Sequence, residues 1–220
     1  MINTKFILNF LTGLSKNNTR EWMEENKKDY QLVKSEFQNL VGLFISEISA
    51  FDNSIEGVDV KKCIFRLNRD IRFSKDKRPY KENLGAFIAQ DGRHSQRGGY
   101  YLHLQPGNKS MLAGGIYMPQ SDVLKKIRQE IDYSPNNLKE IINNDRFKKL
   151  FSTLEGEKLK TAPKGFRPDH PDIELLKYKS YIVVHNLDDT LIKSADFISY
   201  STEVFREMKP LNDFLATAVS

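Results

Sequence analysis

The chain has 220 residues, 39% hydrophobic and 11% aromatic, with 34 Lys and Arg against 29 Asp and Glu for a net charge of +5. That composition is too apolar for a disordered chain and fills one sizeable core, so residues 1–220 read as a single globular domain. The lone cysteine, Cys63, excludes an intramolecular disulfide and a Cys-rich metal centre, and it fits a reducing compartment.

Residues 6–11 are apolar but interrupted by Asn9, and Asn17, Asn18 and Arg20 stand where a signal cleavage site would need small residues. The stretch reads as a short amphipathic helix. No run approaches the length needed to span a bilayer, so the expected location is cytoplasmic, with no membrane partner. Asn18 followed by Glu21 is a capping-box pattern that starts the next helix. Beyond it, Tyr30, Val33, Phe37, Leu40, Phe44 and Ile48 recur at steps of three and four and form a core-facing stripe. The pair Ser35 and Gln38 repeats the capping pattern, which leaves open a helix break near residue 35.

Residues 62–67 alternate as a strand would, with Cys63, Phe65 and Leu67 on one side and Ile64 and Arg66 on the other. A second strand is expected over 84–90, followed by a polar loop with Arg93, His94 and Arg97. Residues 100–105 and 110–118 flank the turn Pro106-Gly107-Asn108-Lys109 and predict an antiparallel hairpin. With Gln105 opposite Ser110, Tyr100, Leu102 and Leu104 share a core face with Met111 and Ala113. Tyr101, His103 and Gln105 then share a polar face with Leu112, Gly114 and Ile116. Helices are expected over 121–131, 136–142, 145–154 and 195–208, with Pro210 ending or kinking the last, and a strand over 181–185. The fold class is α+β, a single domain with an antiparallel or mixed central sheet packed with helices.

The most unusual segment is 61–81, KKCIFRLNRDIRFSKDKRPYK, in which nine Lys or Arg oppose Asp70 and Asp76. Its charge of +7 exceeds the net charge of the chain, leaving −2 elsewhere. Clustered arginines attract anions, and their planar forks match carboxylate and phosphate. Carboxylates and aromatics within the run point to an ordered segment rather than a loose tail.

The pattern Arg66-x-x-Arg69-Asp70-x-Arg72-Phe73-Ser74-Lys75-Asp76-Lys77-x-Pro79-Tyr80-Lys81 resembles the hallmark of an uncharacterised bacterial and fungal family, a domain of unknown function. Asn17-Asn18-x-Arg20-Glu21-Trp22, Gly99-Tyr100-Tyr101-Leu102-His103-Leu104, Gly114-Gly115-Ile116-Tyr117-Met118-Pro119 and Ala162-Pro163-Lys164-Gly165-Phe166 resemble it in the same order. The resemblance implies one domain and weight on the charged segment, but no reaction or cofactor.

Two readings of that segment compete. In the first, Arg66, Arg69, Arg72, Lys77 and Lys81, with Tyr101, bind a phosphate- or carboxylate-bearing small molecule, and Asp70 or His103 transfers a proton. In the second, the arginines brace loops through Asp70, Asp76 and backbone carbonyls, with Phe73, Pro79 and Tyr80 as packing anchors. His103 likewise reads either as an acid-base group or as a hydrogen-bonded structural histidine. No histidine has metal-ligand spacing, so no metal site is expected, and the residues name no cofactor. Ser74 and the 107–110 stretch read as turns rather than as a nucleophile and a phosphate loop. Nucleic-acid binding, with Phe73 and Tyr80 for stacking, and a non-catalytic interaction role are the alternatives to the anion pocket.

Overall fold

Polar side chains start the N-terminal helices of the computed structural model, which describes residues 2–220. Asn3 Oδ1 accepts from the Phe6 amide at 3.0 Å and caps α1 (Thr4–Lys16), whose Ile7, Leu8, Leu11 and Leu14 are buried at helical spacing. Thr19 rather than Asn18 caps α2 (Arg20–Glu25), its Oγ1 accepting from the Trp22 amide. Asn18 turns instead to the backbone of Tyr80, donating to its carbonyl at 3.0 Å and accepting from its amide at 3.1 Å. The break between helices falls at Asn26. From there α3 (Lys27–Ser49) runs through residue 35 uninterrupted, because Val33, Phe37, Leu40, Val41, Phe44 and Ile48 form one continuous buried stripe.

The strand expected over 62–67 is corrected. Asp59 Oδ1 accepts from the Lys61 amide at 2.8 Å and caps the short α4 (Val60–Cys63), so the cap takes these residues out of the extended state. What remains of the strand is one bridge from Ile64 to Ala86 and a hydrogen bond from the Phe65 amide to the Gly85 carbonyl.

Four strands pair antiparallel in the order β1 (Leu84–Ile88), β2 (Gly99–Leu104), β3 (Ser110–Ile116) and β4 (Tyr181–Leu187). The hairpin register differs by one residue from the expected one: His103 pairs with Met111, Tyr101 with Ala113 and Tyr100 with Gly114. Ser110 causes the shift, because its Oγ accepts from the Gln105 amide and donates to the Gln105 carbonyl, both at 2.9 Å. Gly107 and Asn108 close the loop with φ of 81° and 58°. The slip moves every β3 residue to the other face. Tyr100 and Leu102 now share the core face with Gly114 and Leu112, while Tyr101 and His103 share the opposite face with Ala113 and Met111.

The core face packs on helices. α10 (Phe197–Val219) crosses β3 at Gly114, where a Cβ would stand 2.7 Å from Met208 Sδ. Pro210 does not end this helix, since Leu211, Phe214 and Leu215 continue its buried face past the missing amide. Between β3 and β4 the chain forms α5 (Ser121–Tyr133), α6 (Pro135–Asn143), α7 (Asp145–Phe151) and α8 (Ile173–Leu176). The short α9 (Asp189–Ile192) follows β4. The result, among the described residues, is a single α+β domain of ten helices and a four-stranded antiparallel sheet. No helix among them is long and apolar enough to cross a membrane.

Candidate functional site

The charged segment folds as a finger. Leu67, 3% exposed, anchors its base, and the stem closes through Arg69 N–H to Pro79 O and Lys81 N–H to Leu67 O, both at 2.9 Å. Tyr80 in the stem is the residue that Asn18 holds from both sides. Within the finger most cations face the chain's own oxygens. Arg72 grips Asp70 with two bonds of 3.0 and 2.7 Å. Asp76 accepts from Arg69 at 2.7 Å and from Arg78, which also reaches Glu82. Lys77 Nζ donates to the Ile71 carbonyl at 3.1 Å. The Arg78 and Arg69 guanidiniums hold the Asp76 carboxyl well below the usual carboxylate range, and the bonds from Arg72 lower the pKa of Asp70. Phe73, expected as a packing anchor, is 95% exposed at the tip.

Beside the finger, the outer face of the sheet floors a cavity of about 630 Å³. Gly85, Phe87, Tyr101, Met111, Ala113, Ile182 and Val184 make a largely apolar bottom. Lys81, Asn83 and Phe65 border it from the finger's base, and Arg93, Ser95 and Arg97 border it from the loop before β2. The slipped register brings Met111 and Ala113 to this face beside His103 and Tyr101. Gly85 makes room for the latter pair, since a Cβ there would lie 2.8 Å from the Tyr101 hydroxyl oxygen.

The polar chain across the floor has a defined direction. Gln105 Oε1 can only accept, so His103 Nε2 at 2.9 Å carries the proton. Nδ1 is then the acceptor and takes the Tyr101 hydroxyl at 3.0 Å, with Asn83 Nδ2 at 3.4 Å. Burial lowers the His103 pKa and nearby Lys81 lowers it further, against the opposing Gln105 bond, so the ring is neutral at pH 7. Burial raises the Tyr101 pKa and keeps its hydroxyl protonated.

Lys81 stands apart from the paired cations of the finger. Its ammonium makes no hydrogen bond or ion pair among the described residues and lies 5.6 Å from the Phe65 ring centre. Burial, and then the charge of Arg66, push its pKa down. The Arg66 guanidinium likewise has no partner among the described residues, although it lies outside the cavity lining. Arg97 bonds Gln90 Oε1 at 3.0 Å, and Arg93 bonds the Lys61 and Lys62 carbonyls, so neither meets a carboxylate.

Of the residues singled out in the sequence, the structure gathers Lys81, Tyr101 and His103 at the cavity. Arg69, Arg72, Lys77 and Asp70 lie in the finger and do not line it. Phe65, Asn83, Arg93 and Arg97 are members that sequence reasoning passed over. Arg97 carried a weak signal, as a cation in a polar loop just before a strand. Among the described residues no group of three His, Cys, Asp or Glu is placed to hold a metal ion.

A family model described as "conserved hypothetical protein (DUF2461)" matches residues 6–214. The chain belongs to that family. The match spans the finger, the cavity and all four strands of this DUF2461 chain. No curated protein and no solved structure matches it.

Proposed function

We propose that the cavity on the outer sheet face binds a small molecule that joins an apolar body to a carboxylate or phosphate. The observation that carries this reading is Lys81, a half-buried ammonium with no counter-ion among the described residues, at the edge of an apolar floor. A buried charge is costly unless paired, and an anionic guest supplies the missing pair. Arg97 can turn from the neutral Gln90 amide to the same anion, and charge-assisted bonds are roughly twice as strong as neutral ones. Phe87, Met111, Ile182 and Val184 offer apolar contact to the rest of the guest.

Binding is favoured over proton transfer because both nitrogens of His103 are engaged by neighbouring side chains. In that state His103 fixes the Tyr101 hydroxyl, and a proton-transfer role requires the guest to displace one of the two bonds. The Arg69, Arg72 and Asp70 groups act in this reading as bracing for the finger that carries Lys81.

Thermal-shift measurements with hexanoate, phenyl phosphate and neutral hexanol test the proposal. The anions are expected to stabilise the protein at millimolar concentration, hexanol much less, and Lys81→Ala is expected to weaken anion binding about tenfold, or ~1.4 kcal/mol. Stabilisation by none of them, or an unchanged response in Lys81→Ala, overturns it.

A further inference from the structure

We propose that the finger of residues 67–81 is a second binding element, for single-stranded nucleic acid, in which Phe73 stacks on a base while neighbouring cations take the flanking phosphates. The inference is independent of the cavity and stands on how the finger is built. Its stem is clamped by two backbone hydrogen bonds, by the buried Leu67 and by the two-sided grip of Asn18 on Tyr80. The Arg69–Asp76 pair and the Arg69 bond to the Arg78 carbonyl at 3.2 Å tie the two arms together above that clamp. A segment braced in this way holds its tip in a fixed place, so the 95% exposure of Phe73 is not a loose loop end.

The surroundings of the ring select the partner. The Arg72 guanidinium carbon lies 5.8 Å from the Phe73 ring centre; Asp70 engages two of its N–H groups, but the side chain is 75% exposed and keeps further donors beside the aromatic face. Lys75 next in the tip and Arg66 at the base are exposed and have no partner among the described residues. Base stacking on an aromatic ring beside phosphate-binding cations is the way proteins hold single strands without reading sequence. A bilayer takes up several apolar side chains across a plane, whereas the finger exposes a single large one. A duplex keeps its bases stacked inside and leaves Phe73 no face to meet.

Fluorescence anisotropy of the full chain with a labelled oligothymidylate of about 15 nucleotides tests this, with inorganic polyphosphate, a DNA duplex and phosphatidylserine vesicles as the other arms. Saturable binding to the single strand is expected, weakening steeply as salt rises from ~50 to ~200 mM through counterion release. Phe73→Ala is expected to weaken oligothymidylate binding roughly fivefold or more and to leave polyphosphate binding unchanged. Removing Lys75 and Arg66 together is expected to weaken both and to lower the salt slope by about 2. Because Phe73 makes so little contact with the fold, its variant tests binding rather than folding, and anion stabilisation at the cavity stays as in the parent. Failure to bind the single strand, equal binding by Phe73→Ala, or preference for the duplex or for vesicles overturns the proposal.

Discussion

The Tyr101 hydroxyl donates to His103 Nδ1 at 3.0 Å, and His103 Nε2–H donates in turn to Gln105 Oε1 at 2.9 Å on the other side. Three alternate residues of β2 and its following loop thus form one directed chain of hydrogen bonds across the outer sheet face. With a folded pKa below the ordinary value of about 6.5, His103 binds fewer protons folded than unfolded. Its contribution to stability is therefore complete above about pH 6.5 and is lost as pH falls through the depressed folded value. An NMR titration is expected to place the His103 midpoint below the ordinary histidine value of about 6.5, and Lys81→Ala is expected to raise it. Replacing His103 with Gln should flatten the pH dependence of stability in that window; an unchanged slope contradicts the assignment.

Gly115 has φ of 109°, and a Cβ there would stand 2.0 Å from the Tyr181 carbonyl oxygen. Both the backbone angle and the clash fall on rigid main chain, so nothing flexible yields. Gly115→Ala is expected to cost about 3 kcal/mol or more, a fall in Tm of roughly 6–12 °C. Gly114→Ala meets the flexible Met208 side chain and is expected to cost less, which calorimetry on both variants checks.

Tyr100 is buried and donates its hydroxyl to Asp52 Oδ2 at 2.8 Å, tying β2 to the loop after α3. Asp52 Oδ1 takes the Ser54 amide and hydroxyl, so each carboxylate oxygen has its own donor. Tyr100→Phe keeps the ring and leaves Oδ2 without that donor, at an expected cost of about 1–3 kcal/mol in chemical denaturation. A variant as stable as the parent would show that the bond contributes nothing.

Cys63 ends α4 fully buried, and burial pushes its thiol up to about 11. The native protein is expected to resist a thiol reagent at pH 8 and to react with one equivalent only after denaturation. Rapid labelling of the native chain would mean that α4 opens readily.

Much of the helical frame was legible because its signals are local and periodic. The stripe from Val33 to Ile48 needs no knowledge of its partners, and neither does the hairpin turn at Gly107-Asn108. The register was not legible, since it hangs on one hydroxyl, Ser110, serving both backbone groups of Gln105. The 62–67 strand failed for a similar reason: a single cap at Asp59 outweighs an alternating pattern of only six residues. For the site, residue types were readable but partners were not. Arg69, Arg72 and Lys81 look alike in sequence, yet the first two face Asp76 and Asp70 while Lys81 faces the cavity. Arg97 came to that cavity only through the pairing of β1 with β2, which composition does not encode.

The most direct measurement of the cavity's role follows the His103 ring protons by NMR while phenyl phosphate is titrated into the protein. A bound anion beside the imidazole is expected to shift them saturably and to raise the His103 pKa, with both effects lost in Lys81→Ala. Ring resonances that stay in place while the protein is saturated with anion would contradict the account.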